Sequence, residues 1–397
     1  MSPTKTPPPL PDHRPLLDPA AEYRRWTEER PLARISLWGD THPWLVTRHE
    51  DARAVLSDAR FSSQNVRPGF PGLQPTPPPL TPGQLFAMDP PDHTRLRRML
   101  IPEFTFRRVE QLRPAIRNIT ADLLDGLLKQ EQPADLVEHF TLPLPLLVIC
   151  ELLGVPYTDR DFINKQAAAF ATVSAGPEAM RAGWGALFGY LRELLAAKSR
   201  EPGDDLMSKL ATERVATGEA DAAEAAGMLV QLLIAGHETT ASMLSLGVVA
   251  LLRHPDQLAA LRADEDLVPG AVEELLRYLT VVHIGLRRIA TEDVEVGGVT
   301  VRAGEGVVVA LQAANRDPAV FTGPDTLDLT RDAGQHLAFG HGLHHCLGQS
   351  LARAELQIAL PMLFERLPGL RLTGLPAEEY AFEGRAIHGV RELPVAW

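Results

Sequence analysis

The sequence predicts a mainly α-helical protein with a minor β portion. Three observations predict it. Residues 89 to 255 read as helices interrupted only by short breaks. One apolar segment, residues 219–255, is far too long for a strand. Alternating Val-rich runs with Gly turns are confined to residues 286–311.

Residues 1–19 are Pro-rich and read as irregular. "WLVTRHEDARAVLSDARFSS" reads as a short strand followed by a helix. Residues 65–83 contain seven prolines, which neither a helix nor a central strand tolerates. A loop of that length in a compact protein suggests a functional lid, with a surface loop of no function as the alternative. Helix breaks fall at "EQPAD", "GVPYTDRD", "VSAGPE" and "REPGDD". The segment "EADAAEAAGMLVQLLIAGHETTASMLSLGVVALLRHP" has an acidic start and an Arg-His-Pro stop, as a long helix should. Its middle is apolar nearly all round, which predicts burial. "PGAVEELLRYL" is another helix, residues 286–311 a small sheet, and "QSLARAELQIALPMLFERLP" a last helix.

The chain has 397 residues, no internal repeat and no central linker, so one domain is expected over 1–397. Hydrophobic residues make up 45% and charged ones 23%, a globular composition with a large core. A net charge of −12 argues against nucleic acid as a partner. The N-terminus lacks an apolar signal region, and "LPLPLLVIC" and "MLVQLLIAG" are too short to span a bilayer. The expectation is a soluble, cytoplasmic monomer without a membrane segment. Two cysteines make no disulfide framework. Cys150, in an apolar run, reads as a buried core thiol.

The second cysteine lies in "HLAFGHGLHHCLG", residues 336–348. A structural zinc site wants two spaced ligand pairs, but His341, His344, His345 and Cys346 crowd together and no second Cys pair exists. A nucleophile wants a base oriented by a third group, and nothing in the sequence marks one. A plain turn with a free thiol is a further reading. The fourth fits more residues. Gly340, Gly342 and Gly348, with Gly334 upstream, let backbone bend closely around a flat ligand. Cys346 precedes a helix, whose N-terminus stabilises a thiolate. A stabilised thiolate suits a haem iron whose task is O–O cleavage.

"FGHGLHHCLG" resembles the cysteine-ligand loop of the cytochrome P450 family, with Phe339, Gly342, His344, Cys346 and Gly348 on its pattern. "EELLR" resembles the family's Glu-x-x-Arg helix through Glu274 and Arg277, which share one helix face. "AGHETT" resembles the oxygen-activation segment, with Gly236, Glu238 and Thr239 in place. "DPPDHTRLRR" resembles the haem-propionate helix and supplies His93 and Arg97; "RRIATEDVEVGG" supplies Arg288, and His336 is a further propionate candidate. These motifs run in family order from about residue 40 to the C-terminus, and soluble actinobacterial members are the nearest in pattern. One departure is Thr326, which stands where an Arg often completes a Glu-Arg-Arg cluster.

The resemblance implies the cytochrome P450 fold, with haem b between the long oxygen-activation helix and the cysteine-loop helix. It implies Cys346 as axial ligand and iron site. Phe339, Gly340 and His344 sit in the cofactor loop. Thr239 governs proton delivery and Glu238 feeds protons inward. Substrate contacts fall on the Pro-rich loop, the break at 172–178, Leu232, Ala235, Val282, Ile284 and Ile387, with His283 and His388 as polar or solvent-facing neighbours. The implied reaction is hydroxylation or epoxidation of a lipophilic molecule, such as a macrolide, polyketide or steroid-like secondary metabolite, by O2. No Gly-rich flavin or nicotinamide fingerprint occurs, so electrons should come from a ferredoxin with its reductase. Residues 93–117 carry seven Arg against two Glu, a basic patch with Arg98, Arg107, Arg108 and Arg113 as docking candidates. Rival readings are a haem-thiolate gas sensor, a peroxide-driven enzyme and a zinc hydrolase. The first needs an output domain, and the second would make Glu238 and Thr239 expendable.

Overall fold

The computed structural model describes residues 7–11, 13–30, 32–37, 41–72, 80–171, 176–374, 376–382 and 386–397. Two compact units divide the chain: Met1–Leu80 with Phe86–Asp89 and Glu273–Cys346, and Thr81–Leu85 with Pro90–Val272 and Leu347–Trp397.

The first unit is built on a five-stranded sheet in the order Leu32–Arg34, Trp44–Val46, Gly306–Val309, Leu286–Ala290, Phe61–Ser62. Gly306–Val309 is the central strand and is buried throughout, which is why its Val run shows no polar alternation. It pairs in parallel with Trp44–Val46 and antiparallel with Leu286–Ala290. Val307 and Val309 join Val46, Val55 and Phe61 in one core cluster. Val308 points the other way, into a cluster with Tyr23, Trp26, Ile35 and Leu45. A separate hairpin, Val294–Val296 with Val299–Val301, turns at Gly297 and Gly298. Their φ values of +55 and +78° are what a two-residue hairpin turn of this hand requires. The small sheet expected at 286–311 is therefore not self-contained. Two of its strands join three from residues 32–62, which are too short to give a clear period-2 pattern.

The second unit is helical. Its main helices are Asp92–Leu100, Phe106–Leu127, Pro143–Leu153, Arg160–Ala171, Gly176–Arg200, Ala222–Arg253, Pro255–Ala263 and Gln349–Arg366. The break at "EQPAD" holds a short strand, Ala134–Asp135, which pairs with Pro394–Ala396. The long helix Ala222–Arg253 starts in a capping box. The Asp221 carboxylate accepts from Glu224 N–H at 2.7 Å, and the Glu224 carboxylate accepts from Asp221 N–H at 3.0 Å. A Cβ at Gly227 would lie 1.7 Å from the Pro82 carbonyl oxygen, so only glycine lets that chain segment approach the helix. By length and composition this helix is apolar enough to cross a membrane, but most of its apolar window is buried within the protein. Of the Pro-rich segment, residues 73–79 lie outside the described residues, as do 172–175 of the expected break. The described flank, 65–72, has neither helix nor strand, as its prolines predict.

Candidate active site

In the first unit the cysteine loop is shaped by two glycines. Gly340 and Gly342 have φ +70 and +72°. A Cβ at Gly342 would meet the Leu56 carbonyl oxygen at 2.3 Å, so glycine is required where the loop rests on the helix His49–Ser57. The Cys346 N–H donates to the Phe339 carbonyl at 2.9 Å. The ring of Phe339 stacks at a tilt on His336. His344 Nε2 and the Ser63 hydroxyl share a hydrogen bond of 3.0 Å. The Cys346 thiol is exposed, whereas Cys150 is buried, as expected, and desolvation pushes its thiol up to about 12. In chain order Cys346 lies two residues before Gly348, the N-cap of the helix Gln349–Arg366.

Arg288 is 6% exposed. Its one hydrogen bond among the described residues donates to the Arg287 carbonyl at 2.8 Å, and it has no ion pair among them. Desolvation lowers it to about 10, so it remains a cation at neutral pH. His336 is engaged at both ring nitrogens: Nε2 bonds Glu273 at 3.1 Å, and Nδ1 accepts from the Ala338 N–H at 3.1 Å. The sequence gives no sign of this Glu273 pairing, which is set by tertiary contact.

Glu274 and Arg277 form a fully buried pair rather than the solvated pair their spacing alone suggests. The cluster is complete despite Thr326. Arg331 donates to Glu274 at 3.1 Å, and Thr326 contributes only its carbonyl, which accepts from Arg277 and Arg331. Val282 and Ile284 are half-buried nearby in sequence. His283 is buried, with its carbonyl accepting from Gln312 at 2.8 Å.

In the second unit His93 is buried and Arg97 half-buried on Asp92–Leu100. The long helix is mostly buried, as expected, with one face less so. Gln231, Ile234, Glu238 and Thr239 are half-buried and Ala235 is exposed. Steps of three and four place these five on one face. Leu232 is buried beside that face. The Thr239 hydroxyl donates to the Ala235 carbonyl at 2.8 Å, the back-bond that loosens a helix. No neighbour demands glycine at Gly236, where a Cβ would make ordinary contact with Ile149. His237 was not singled out by sequence. Its Nε2 bonds the Leu142 carbonyl at 3.1 Å, and burial pulls its pKa down to about 4. The ring is therefore neutral and donates. Ile387 is half-buried and His388 buried, so a solvent-facing role for His283 or His388 is excluded.

The basic patch is thinner than its sequence. Arg95 pairs with Glu224, Arg108 with Glu103 and Arg113 with Glu110. Arg98, Arg107 and Arg117 are exposed and have no ion pair among the described residues.

A haem needs a metal ligand and cations for two propionates. An exposed thiol in a glycine-shaped loop and a buried guanidinium that has no ion pair among the described residues, with the Asp89 carboxylate acting on it only at longer range, both in one unit, fit that requirement. The cytochrome P450 family matches residues 189–368. The chain is 50% identical to cytochrome P450-SU2 of Streptomyces griseolus, over 96% of this chain and 94% of that protein. It is 49% identical to pentalenic acid synthase of Streptomyces avermitilis, over 96% and 94%. The crystal structure of CYP105P1 in complex with filipin I is similar with TM-score 0.93 and 42% identity, covering 98% of this chain and 99% of that one. Proteins of this family carry haem b on a cysteine thiolate and act as monooxygenases. With half its residues shared across nearly its whole length, the chain belongs to the cytochrome P450 family.

Proposed function

We propose that the protein is a single-domain cytoplasmic monooxygenase, fed by a ferredoxin and its reductase, that hydroxylates or epoxidises a bulky lipophilic secondary metabolite. The observation that carries the assignment of the site is Arg288: a buried cation with one hydrogen bond and no ion pair among the described residues, helped only at longer range by Asp89, has donors left for an anion, and a propionate would supply one.

Cys346, held by its N–H bond to Phe339 and by the turns at Gly340 and Gly342, would supply the thiolate that binds the haem iron. His344 braces the loop through Ser63. Arg288, Arg97 and His93 would hold the propionates. His336, whose Nε2 bonds Glu273, would be a further propionate donor. Haem, when bound, lets O2 be reduced by two electrons and two protons so that one oxygen atom enters the substrate. Glu238 passes protons along the open face of the long helix. The Thr239 hydroxyl, donating to the Ala235 carbonyl, keeps its lone pairs able to accept a hydrogen bond from that side. His237 is a fixed neutral strut behind them. Leu232, Ala235, Val282, Ile284 and Ile387 give the substrate an apolar lining. Filipin I bound in CYP105P1 and the name of pentalenic acid synthase support a large, largely apolar substrate.

The test is a spectrum. Reduced protein with CO should show the strongly red-shifted Soret band of thiolate-bound haem. Cys346→Ala should lose it and Cys150→Ala keep it. The opposite pattern, or a colourless protein that carries zinc, overturns the reading.

A further inference from the structure

Arg287 follows the strand alternation and faces away from Arg288. Leu286, on the Arg288 side, approaches Gly340 of the cysteine loop. Arg287 and Ile289 face residues 69–71 at the base of the Pro-rich segment. The Arg287 Nη1 donates to the Pro71 carbonyl at 3.2 Å. The guanidinium carbon stands 5.6 Å from the centre of the Phe70 ring, within cation–π range. This loop base is seated firmly. Gly69 has φ +87°, and a Cβ there would lie 2.2 Å from the Gly304 carbonyl oxygen.

A guanidinium has five N–H donors. Arg287 uses one of them on a described acceptor, and no carboxylate pairs with it among the described residues. The adjoining segment 73–79, "LQPTPPP", contains no acid either. Exposed arginines without partners are ordinary, but Arg287 is half-buried, and desolvation lowers it to about 10. It stays charged at neutral pH. A desolvated cation is costly unless an anion answers it.

We propose that Arg287 recognises the carboxylate of a lipophilic acid substrate, with Phe70 stacked beside the fork. The proposal rests on the monooxygenase reading, in which the Pro-rich loop touches substrate, and it narrows the substrate to an acid. The guanidinium plane suits a carboxylate because two parallel N–H bonds can form.

The test uses isothermal titration calorimetry on the purified holoprotein. Lauric acid and abietic acid are each compared with their methyl esters. At least one acid should bind about tenfold tighter than its ester, the value of a charge-assisted pair. In Arg287→Gln the ester affinity and the CO spectrum should hold while the acid falls to the level of the ester. Arg287→Lys should keep part of the preference. Two results overturn the proposal: no acid preference in the unsubstituted protein, or a preference that Arg287→Gln leaves intact. If acid and ester weaken together at a fixed ratio, Arg287 is only a strut for the loop, and the proposal is again overturned. Failure of the monooxygenase reading appears separately, as a missing thiolate–CO band in the unsubstituted protein.

Discussion

Arg277 grips both carboxylate oxygens of Glu274, at 2.7 and 2.8 Å, with both side chains fully buried. The remaining Arg277 donors reach the carbonyls of Asn315, Pro324 and Thr326. Glu274 also accepts from the Asp328 N–H and from Arg331. The pair thus ties residues 315–331 to the helix Val268–Leu279.

Breaking such a pair leaves a buried charge unanswered. Glu274→Ala should cost about 3–5 kcal/mol. Arg331→Ala, at the rim of the cluster, should cost about 1 kcal/mol. Thr326→Ala should stay within about 0.5 kcal/mol, because its exposed side chain takes no part. Urea unfolding of the three holoprotein variants checks the order. A large loss at Thr326 would show that the cluster depends on that residue.

His237 makes stability pH-dependent. Its folded value, about 4, lies below the ordinary 6.5 because the ring is buried. Between those values the unfolded chain binds the proton that the folded one refuses. The contribution is therefore complete above pH 6.5 and is lost as pH falls toward 4. Its size is roughly 3 kcal/mol. His237→Gln keeps a donor for Leu142 without titrating. The difference between the two unfolding curves should change through that pH window; parallel curves would remove His237 as the source.

Glu355 acts in the opposite direction. It is buried on the helix Gln349–Arg366, its Oε2 has no hydrogen-bond partner among the described residues, and desolvation raises its pKa well above 4.5. The folded protein holds the neutral acid, while the unfolded chain ionises above pH 4.5, so stability drains as pH rises from there. Glu355→Gln should raise the melting temperature at pH 8 and leave it nearly unchanged below the unfolded pKa. An equal change at both pH values would mean packing, not ionisation.

Sequence legibility followed two physical limits. Long periodic elements were readable: Ala222–Arg253 and Gln349–Arg366 have enough turns to display their pattern and stops. Two-residue strands such as Phe61–Ser62 were not, because their identity lies in partners far along the chain. The site divides in the same way. Cys346, Gly340 and Gly342 stand in one short segment with local backbone demands. Arg331 could not be found from Thr326, because a guanidinium can reach the same carboxylate from a different position in the chain. Burial of Glu274 and Arg277, and pairing of three arginines in the basic patch, required the tertiary structure.

In the proposed reaction, variants of Thr239 and Glu238 should separate substrate binding from proton supply. Thr239→Ala should still consume reducing equivalents and release most of them as hydrogen peroxide. Glu238→Gln should slow turnover with little change in substrate affinity, because ground-state binding does not use its proton. Product formed per electron is the measurement for the first, and kcat against the dissociation constant for the second. Unchanged product per electron in Thr239→Ala removes it from proton delivery.

Electron delivery is the last prediction, and the structure changes which residues test it. Arg108 and Arg113 already answer Glu103 and Glu110. Arg98 and Arg107 are exposed, without ion pairs among the described residues. Phe106, next to Arg107, is 72% exposed, an unusual place for a large apolar ring. A ferredoxin with an acidic face would be steered by the two cations and settle on the ring. Arg98→Glu combined with Arg107→Glu should slow reduction by ferredoxin about tenfold or more at low salt. That gap should close as salt screens the charges over about 10 Å. Phe106→Ala should weaken docking with little salt dependence, since it removes contact area and no charge. Peroxide-driven turnover should match the unsubstituted protein in both variants, which separates docking from damage to the haem site. If ferredoxin reduction is unchanged at low salt, this surface is not where the electron donor binds.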